Sequence, residues 1–122
     1  MARDPELIRR VLGLLLALGP VQARRMFGGT GLFLDGTMFA LIDRSRLYIK
    51  ADDRTKGDFA AAGAEPFTYR RQGKRIALSY WMAPEGSLAS PDALLPWARL
   101  GVEAATRGRA AKARKKSRHS FG

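Results

Sequence analysis

The chain has 122 residues, 46% of them apolar, which is enough for one domain with a core of its own. Its 22 basic and 11 acidic residues give a net charge of +11, and the absence of cysteine removes disulfides and thiolate metal sites and fits a reducing, cytoplasmic compartment. No apolar run approaches the roughly 20 residues that span a bilayer, so no membrane role is expected.

Asp4-Pro5-Glu6 reads as a helix start, with a cap, a proline in the first turn and an acid favoured by the helix dipole. Leu7, Val11, Leu14, Leu15 and Leu18 recur at helical spacing and predict a helix from Pro5 to Leu18, stopped by Gly19-Pro20. Its leucines occupy more than one side, so it should be well buried. Arg9-Arg10 ahead of Val11 to Leu18 has the outline of a signal peptide. Asp4 and Glu6 stand where such a peptide is positive, and the helix is the expected reading.

Arg24 to Phe27 leads into Gly28-Gly29-Thr30-Gly31 and then two apolar runs, Leu32-Phe33-Leu34 and Met38 to Ile42. Asp35-Gly36 between them predicts a two-residue hairpin turn, because both central positions need positive φ. That register sets Leu32 opposite Phe39 and Phe33 opposite Met38. Both faces are apolar, which places the hairpin centrally in a sheet. Arg46 to Lys50 alternates cleanly, with Leu47 and Ile49 inward. Asp52 or Asp53 is expected to cap a short helix that ends near Gly63, with Phe59 as its anchor. A second hairpin is expected from Phe67 to Arg71 and Lys74 to Trp81, turning at Gln72-Gly73, with Phe67 and Tyr69 facing Leu78 and Ile76. The last helix starts between Pro91 and Pro96, with Ser90-Pro91-Asp92 as the start signal, and is expected to run to Arg107. Its inner stripe is Leu94, Trp97, Ala98, Gly101, Val102 and Ala105.

The order is α-β-β-β-β-α-β-β-α, an α+β domain with helices packed on an antiparallel sheet. It occupies residues 1–107. Residues 108–122 read as a basic tail that is disordered until bound.

Positive charge is unevenly spread. Arg107, Arg109, Lys112, Arg114, Lys115, Lys116 and Arg118 follow one another with no acid among them. A second cluster, Arg70, Arg71, Lys74 and Arg75, sits at the second hairpin's tip, where like charges directly opposite one another are destabilising. An anion or acidic partner would neutralise it; a solvated tip that discourages edge-to-edge pairing is the plainer account. Arg70, Arg71, Lys74, Arg75 and Arg109, Lys112, Arg114, Lys115, Lys116, Arg118 are therefore the candidate contacts for DNA or RNA.

Catalytic chemistry has little to work with. The single histidine, His119, lies near the end of the basic run, and no nucleophile and base can be placed together on a rigid element. No zinc ligand set exists, and Asp52-Asp53 is explained by capping. Gly28-Gly29-Thr30-Gly31 lacks the Gly-Lys-Ser/Thr of a phosphate loop and is followed by a strand, so a turn or bulge is the simpler reading than anion contact through bare N–H groups. No enzyme activity, metal or cofactor is expected.

The segments Arg25-Met26-Phe27-Gly28-Gly29, Gly31 to Gly36, Met38 to Ile42, Leu47 to Lys50, Pro66 to Tyr69 and Ser79-Tyr80-Trp81 together resemble the TfoX/Sxy N-terminal domain family, over Leu7 to Arg107. An aromatic commonly follows the paired glycines there, and Thr30 stands here instead. The resemblance implies an α/β sandwich of the secretion-chaperone kind. It implies a role as a competence regulator, acting with a cyclic-AMP-responsive transcription factor on genes for DNA uptake. It supplies no catalytic residues, and Arg25, Met26, Phe27, Gly28, Gly29 and Gly31 are expected to specify the fold. The first functional expectation is a transcription-associated module that works by protein contact, with nucleic acid held by the tail. The alternative is a protein-interaction adaptor. An open sheet edge or apolar patch would allow a homodimer.

Overall fold

The computed structural model describes residues 5–26 and 29–121, and the side chains of residues 69–71, 75–77 and 115–121 stand outside that description. The expected cap Asp4 lies outside it too. Helix α1 spans Pro5–Leu14 and is followed by a 3-10 turn at Leu16–Leu18, so the first helix is shorter than expected. It is also less buried. Val11 and Leu15 are fully inside, whereas Leu16 is 78% exposed, because only one stripe of the helix meets the rest of the protein.

Strands β1 (Gln22–Met26), β2 (Gly29–Leu34), β3 (Thr37–Asp43) and β4 (Arg46–Lys50) follow, then α2 (Lys56–Ala61), β5 (Pro66–Arg71), β6 (Lys74–Met82) and α3 (Pro91–Phe121). The order of elements is the expected one. Among the described residues the strands form one antiparallel sheet in the order β1-β2-β3-β4-β6-β5. The β2–β3 hairpin is central, as its two apolar faces require. Asp35 and Gly36 carry φ of 52° and 77°, the geometry of the tight hairpin turn. Phe33 does pair with Met38, but Leu32 pairs with Ala40 and not with Phe39. A bulge inserts Phe39 as an extra residue and delivers its ring, 1% exposed, to the core.

One face of the sheet carries Leu32, Ile42, Leu47 and Ile49, all buried, with Trp81 half-buried beside them. The helices pack on this face. Ser90 Oγ accepts the Ala93 N–H at 3.2 Å and caps α3, which begins at Pro91. Leu94, Leu95, Ala98, Gly101 and Ala105 are its buried stripe. Gly101 has a packing role, since a Cβ there would stand 2.6 Å from Ile49 Cγ2 and 3.0 Å from the Phe39 carbonyl oxygen. Helix α2 places Phe59 against Trp97, ring centroids 4.9 Å apart. It ends at Ala61, and two residues on, Gly63, φ 82°, donates its N–H to the Ala60 carbonyl while the Ala64 N–H donates to the Phe59 carbonyl. Asp52 does not cap α2. It accepts the Arg54 N–H in a turn ahead of the helix, and Thr55 stands at the helix start.

The second hairpin has the expected turn, with Gln72 and Gly73 at φ 53° and 77°. Tyr69 pairs with Ile76, but an irregularity between Pro66 and Thr68 shifts Phe67, which meets Tyr48 edge-on at 4.9 Å between ring centroids. The largest departure concerns residues 108–121. Helix α3 does not stop at Arg107 but continues to Phe121, so this stretch is helical rather than a disordered tail. Alanine, arginine and lysine are the strongest helix formers, and one glycine at 108 costs only about 1 kcal/mol within a helix already nucleated on the core.

Candidate nucleic-acid interface

The two basic segments leave the sheet at the same end. Strand β4 finishes at Lys50, which pairs with Tyr80, and the Ala51 N–H donates to the Ser79 carbonyl at 2.8 Å. Beyond that point β6 pairs with β5 alone, so the hairpin tip overhangs. Its register sets Arg70 opposite Arg75 and Arg71 opposite Lys74. Lys74 is exposed; the side chains of Arg70, Arg71 and Arg75 lie outside the described residues.

Helix α3 reaches the same end. Arg109 Nη1 donates to Thr37 Oγ1 at 2.8 Å, at the start of β3, and Lys112 shares a hollow with Lys50 and Tyr80. Arg114 is exposed, and Lys115, Lys116 and Arg118 continue the helix, with side chains outside the description. Arg107 is not available to an anion in the same way. Its guanidinium holds both oxygens of Asp52, at 2.6 and 3.0 Å. That pairing holds the Asp52 carboxyl down at about 2, against an ordinary value of 3.8. Its effect is to clamp α3 to the turn after β4.

Lys50 is the residue that sequence reasoning missed. Its ammonium donates to Ser79 Oγ at 2.6 Å and lies 5.3 Å from the centre of the Tyr80 ring. Burial, and after it the charge of Lys112, hold Lys50 below the usual lysine value. In the sequence Lys50 is one polar residue at the end of an alternating strand, and nothing local marks its neighbours. Two tyrosines and Trp81 sit half-buried in the sheet, with Tyr80 raised above the ordinary tyrosine value by burial.

The glycine-rich stretch behaves as strand. Gly29, Thr30 and Gly31 pair with β1 on one side and β3 on the other, so their backbone groups are committed to the ladders. A Cβ on Gly29 would come within 2.6 Å of the Ile42 carbonyl oxygen. Arg25 and Met26 are exposed on edge strand β1, and Phe27 and Gly28 lie outside the described residues. The described residues hold no group of acids and histidines that could bind a metal ion, and no helix among them is long and apolar enough to cross a membrane.

Residues 13–105 match the model of the TfoX N-terminal domain. The chain belongs to the TfoX N-terminal domain family. Relatives include the DNA transformation protein TfoX1 of Aliivibrio fischeri, 30% identical over 74% of this chain and 43% of that protein. Protein Sxy of Escherichia coli is 25% identical over 75% of this chain and 44% of its own. The DNA transformation protein TfoX of Haemophilus influenzae is 36% identical over 54% of this chain and 31% of its own. The chain thus spans less than half the length of the curated relatives it matches. Within this TfoX N-terminal domain the hairpin tip and Lys50 fall inside the matched residues, whereas Arg109 and Lys112 lie beyond them.

Proposed function

We propose that this protein is a non-enzymatic regulator associated with the transcription of genes for DNA uptake, acting by contact with a transcription factor and holding nucleic acid through α3 and the β5–β6 tip. The observation that carries the reading is the arrival of two basic segments at one end of a TfoX N-terminal domain whose relatives are named for DNA transformation. Lysine and arginine aligned on a helix and a hairpin suit the phosphate backbone, without sequence choice.

The test compares duplex-DNA binding by the full chain and by a chain ending at Gly108, across a salt series. Among the described side chains of α3 the last buried one is Ala105, so the shorter chain keeps every described core residue. With about five phosphate contacts, log K should fall with log salt at a slope of about −4 to −5, and the shorter chain should lose most of the affinity. If neither chain binds at low salt, nucleic-acid contact is removed from the reading.

One observation favours the adaptor reading. The second face of the sheet carries Phe33, Met38, Leu41, Tyr48 and Met82, each partly exposed, with Met26 43% and Leu78 38% exposed. A partner protein or a second copy of the chain would find an apolar surface there. Dimerisation that persists at high salt and is lost on Met38→Lys would favour this reading.

A further inference from the structure

The hollow between the end of the sheet and α3 has a composition that the general basic character of the protein does not explain. It has a volume of about 310 Å³; Thr37, Lys50, Tyr80, Arg109 and Lys112 give it its polar lining, and Met38 and Ala105 add apolar side chains. None of its lining residues is acidic. The carboxylate that acts on Lys50, Asp52, is itself held by Arg107 on both oxygens. A larger hollow of about 450 Å³, bordered by Arg10, Arg46 and Glu85, lacks this convergence, because Arg10 is bonded to the Leu88 carbonyl and an acid is present.

The hydrogen-bond inventory points the same way. Lys50 has three donors and gives one to Ser79; Arg109 has five and gives one to Thr37. The Thr37 and Ser79 hydroxyls accept these bonds, which leaves their own protons to donate. Tyr80, raised by burial, keeps its proton. The polar side chains of the hollow present donors, and three cations border it, Lys50 partly buried and Arg109 and Lys112 exposed. Burial, and after it the charge of Lys112, depress the Lys50 ammonium. An anion would relieve it.

We infer that this hollow binds a phosphate group, with Lys50, Arg109 and Lys112 supplying the charge and the Thr37 and Tyr80 hydroxyls supplying neutral hydrogen bonds. Three cations match a phosphate better than a carboxylate, and the volume leaves room for an attached sugar. The phosphate belongs either to a mononucleotide or to a nucleic-acid backbone. For the backbone source the inference rests on the function proposed above; for the mononucleotide source it stands alone. Lys50 and Tyr80 lie within the residues matched to the family, and Arg109 and Lys112 lie beyond them.

Calorimetric titration of the full chain with a nucleoside 5′-monophosphate, and separately with a short DNA duplex, tests the inference. Lys50→Gln and Lys112→Gln should each weaken binding about tenfold, the loss of one charge-assisted hydrogen bond. Arg99→Gln removes an exposed charge from α3 away from the hollow and should leave mononucleotide binding unchanged. Mononucleotide binding that depends on both lysines identifies the mononucleotide source. Duplex binding alone, weakened more by the two lysine variants than by Arg99→Gln, identifies the backbone source. Binding that responds equally to all three variants reflects a diffuse positive field and overturns the inference, as does the absence of binding by either probe. Lys112 is exposed, so its variant keeps the test decisive if Lys50→Gln does not fold. Duplex binding that needs residues 109–122 but ignores Lys50 would remove the hollow and leave the regulatory reading standing. Mononucleotide binding without duplex binding would do the reverse.

Discussion

Gly101 and Gly108 lie two turns apart on α3 and should respond oppositely to alanine. Alanine gains about 1 kcal/mol over glycine in a helix interior at either position. At Gly101 the new Cβ would stand 2.6 Å from Ile49 Cγ2 and 3.0 Å from the Phe39 carbonyl. Ile49 is 1% exposed and β-branched, so its methyl cannot swing away, and a backbone oxygen cannot move without the strand. Overpacking of this kind costs about 1–3 kcal/mol. It therefore matches or exceeds the propensity gain, and Gly101→Ala should be neutral to destabilising by about 2 kcal/mol in urea unfolding. Gly101→Val has no comparable propensity gain and adds more volume, so it should be worse. A Gly101→Ala protein more stable than the parent would show that the helix does not approach the sheet this closely.

On the scale of elements, α3 depends on residues 108–121 behaving as helix. Gly108 is exposed, and a Cβ there would meet nothing within 4 Å, so its alanine variant has only helix propensity to express. Gly108→Ala should raise far-UV helicity and stabilise the protein by about 0.5–1 kcal/mol. Unchanged helicity would mean that the helix ends at the glycine. This is also where the sequence was hardest to read. A lone glycine followed by dense like charge resembles a stop, while the alanine, arginine and lysine around it favour continuation; the length already nucleated on the core decides between them. Both hairpins were legible because Asp35-Gly36 and Gln72-Gly73 encode their own backbone geometry. The bulge at Phe39 was not, since it answers to packing against the distant Gly101 rather than to any local pattern. The basic clusters were legible as charge. The hollow was not, because Thr37, Lys50, Tyr80 and Lys112 meet only through the sheet order and the course of α3.

The whole molecule carries +11, so what keeps its basic helix against a basic sheet end matters for stability. Asp52 is the described carboxylate that joins the two, through the bidentate bond from Arg107. Hydrogen bonding from Arg107 is the main reason that its folded value is about 2, below the ordinary 3.8. A carboxyl depressed on folding stabilises the fold above its unfolded value, and that contribution disappears as pH falls through the folded one. The Asp52 contribution is therefore complete above about pH 4 and lost towards about pH 2. In that window the unfolded chain binds more protons than the folded one, so stability rises with pH. Asp52→Asn keeps the side-chain shape but removes the charge. It should melt lower than the parent near neutral pH, and the two melting curves should converge as pH approaches about 2. A constant offset between them down to that pH would mean that the ion pair does not hold α3 in place. Arg107→Gln should reproduce the same profile, because either substitution breaks the one clamp that links residues 52 and 107 across the molecule.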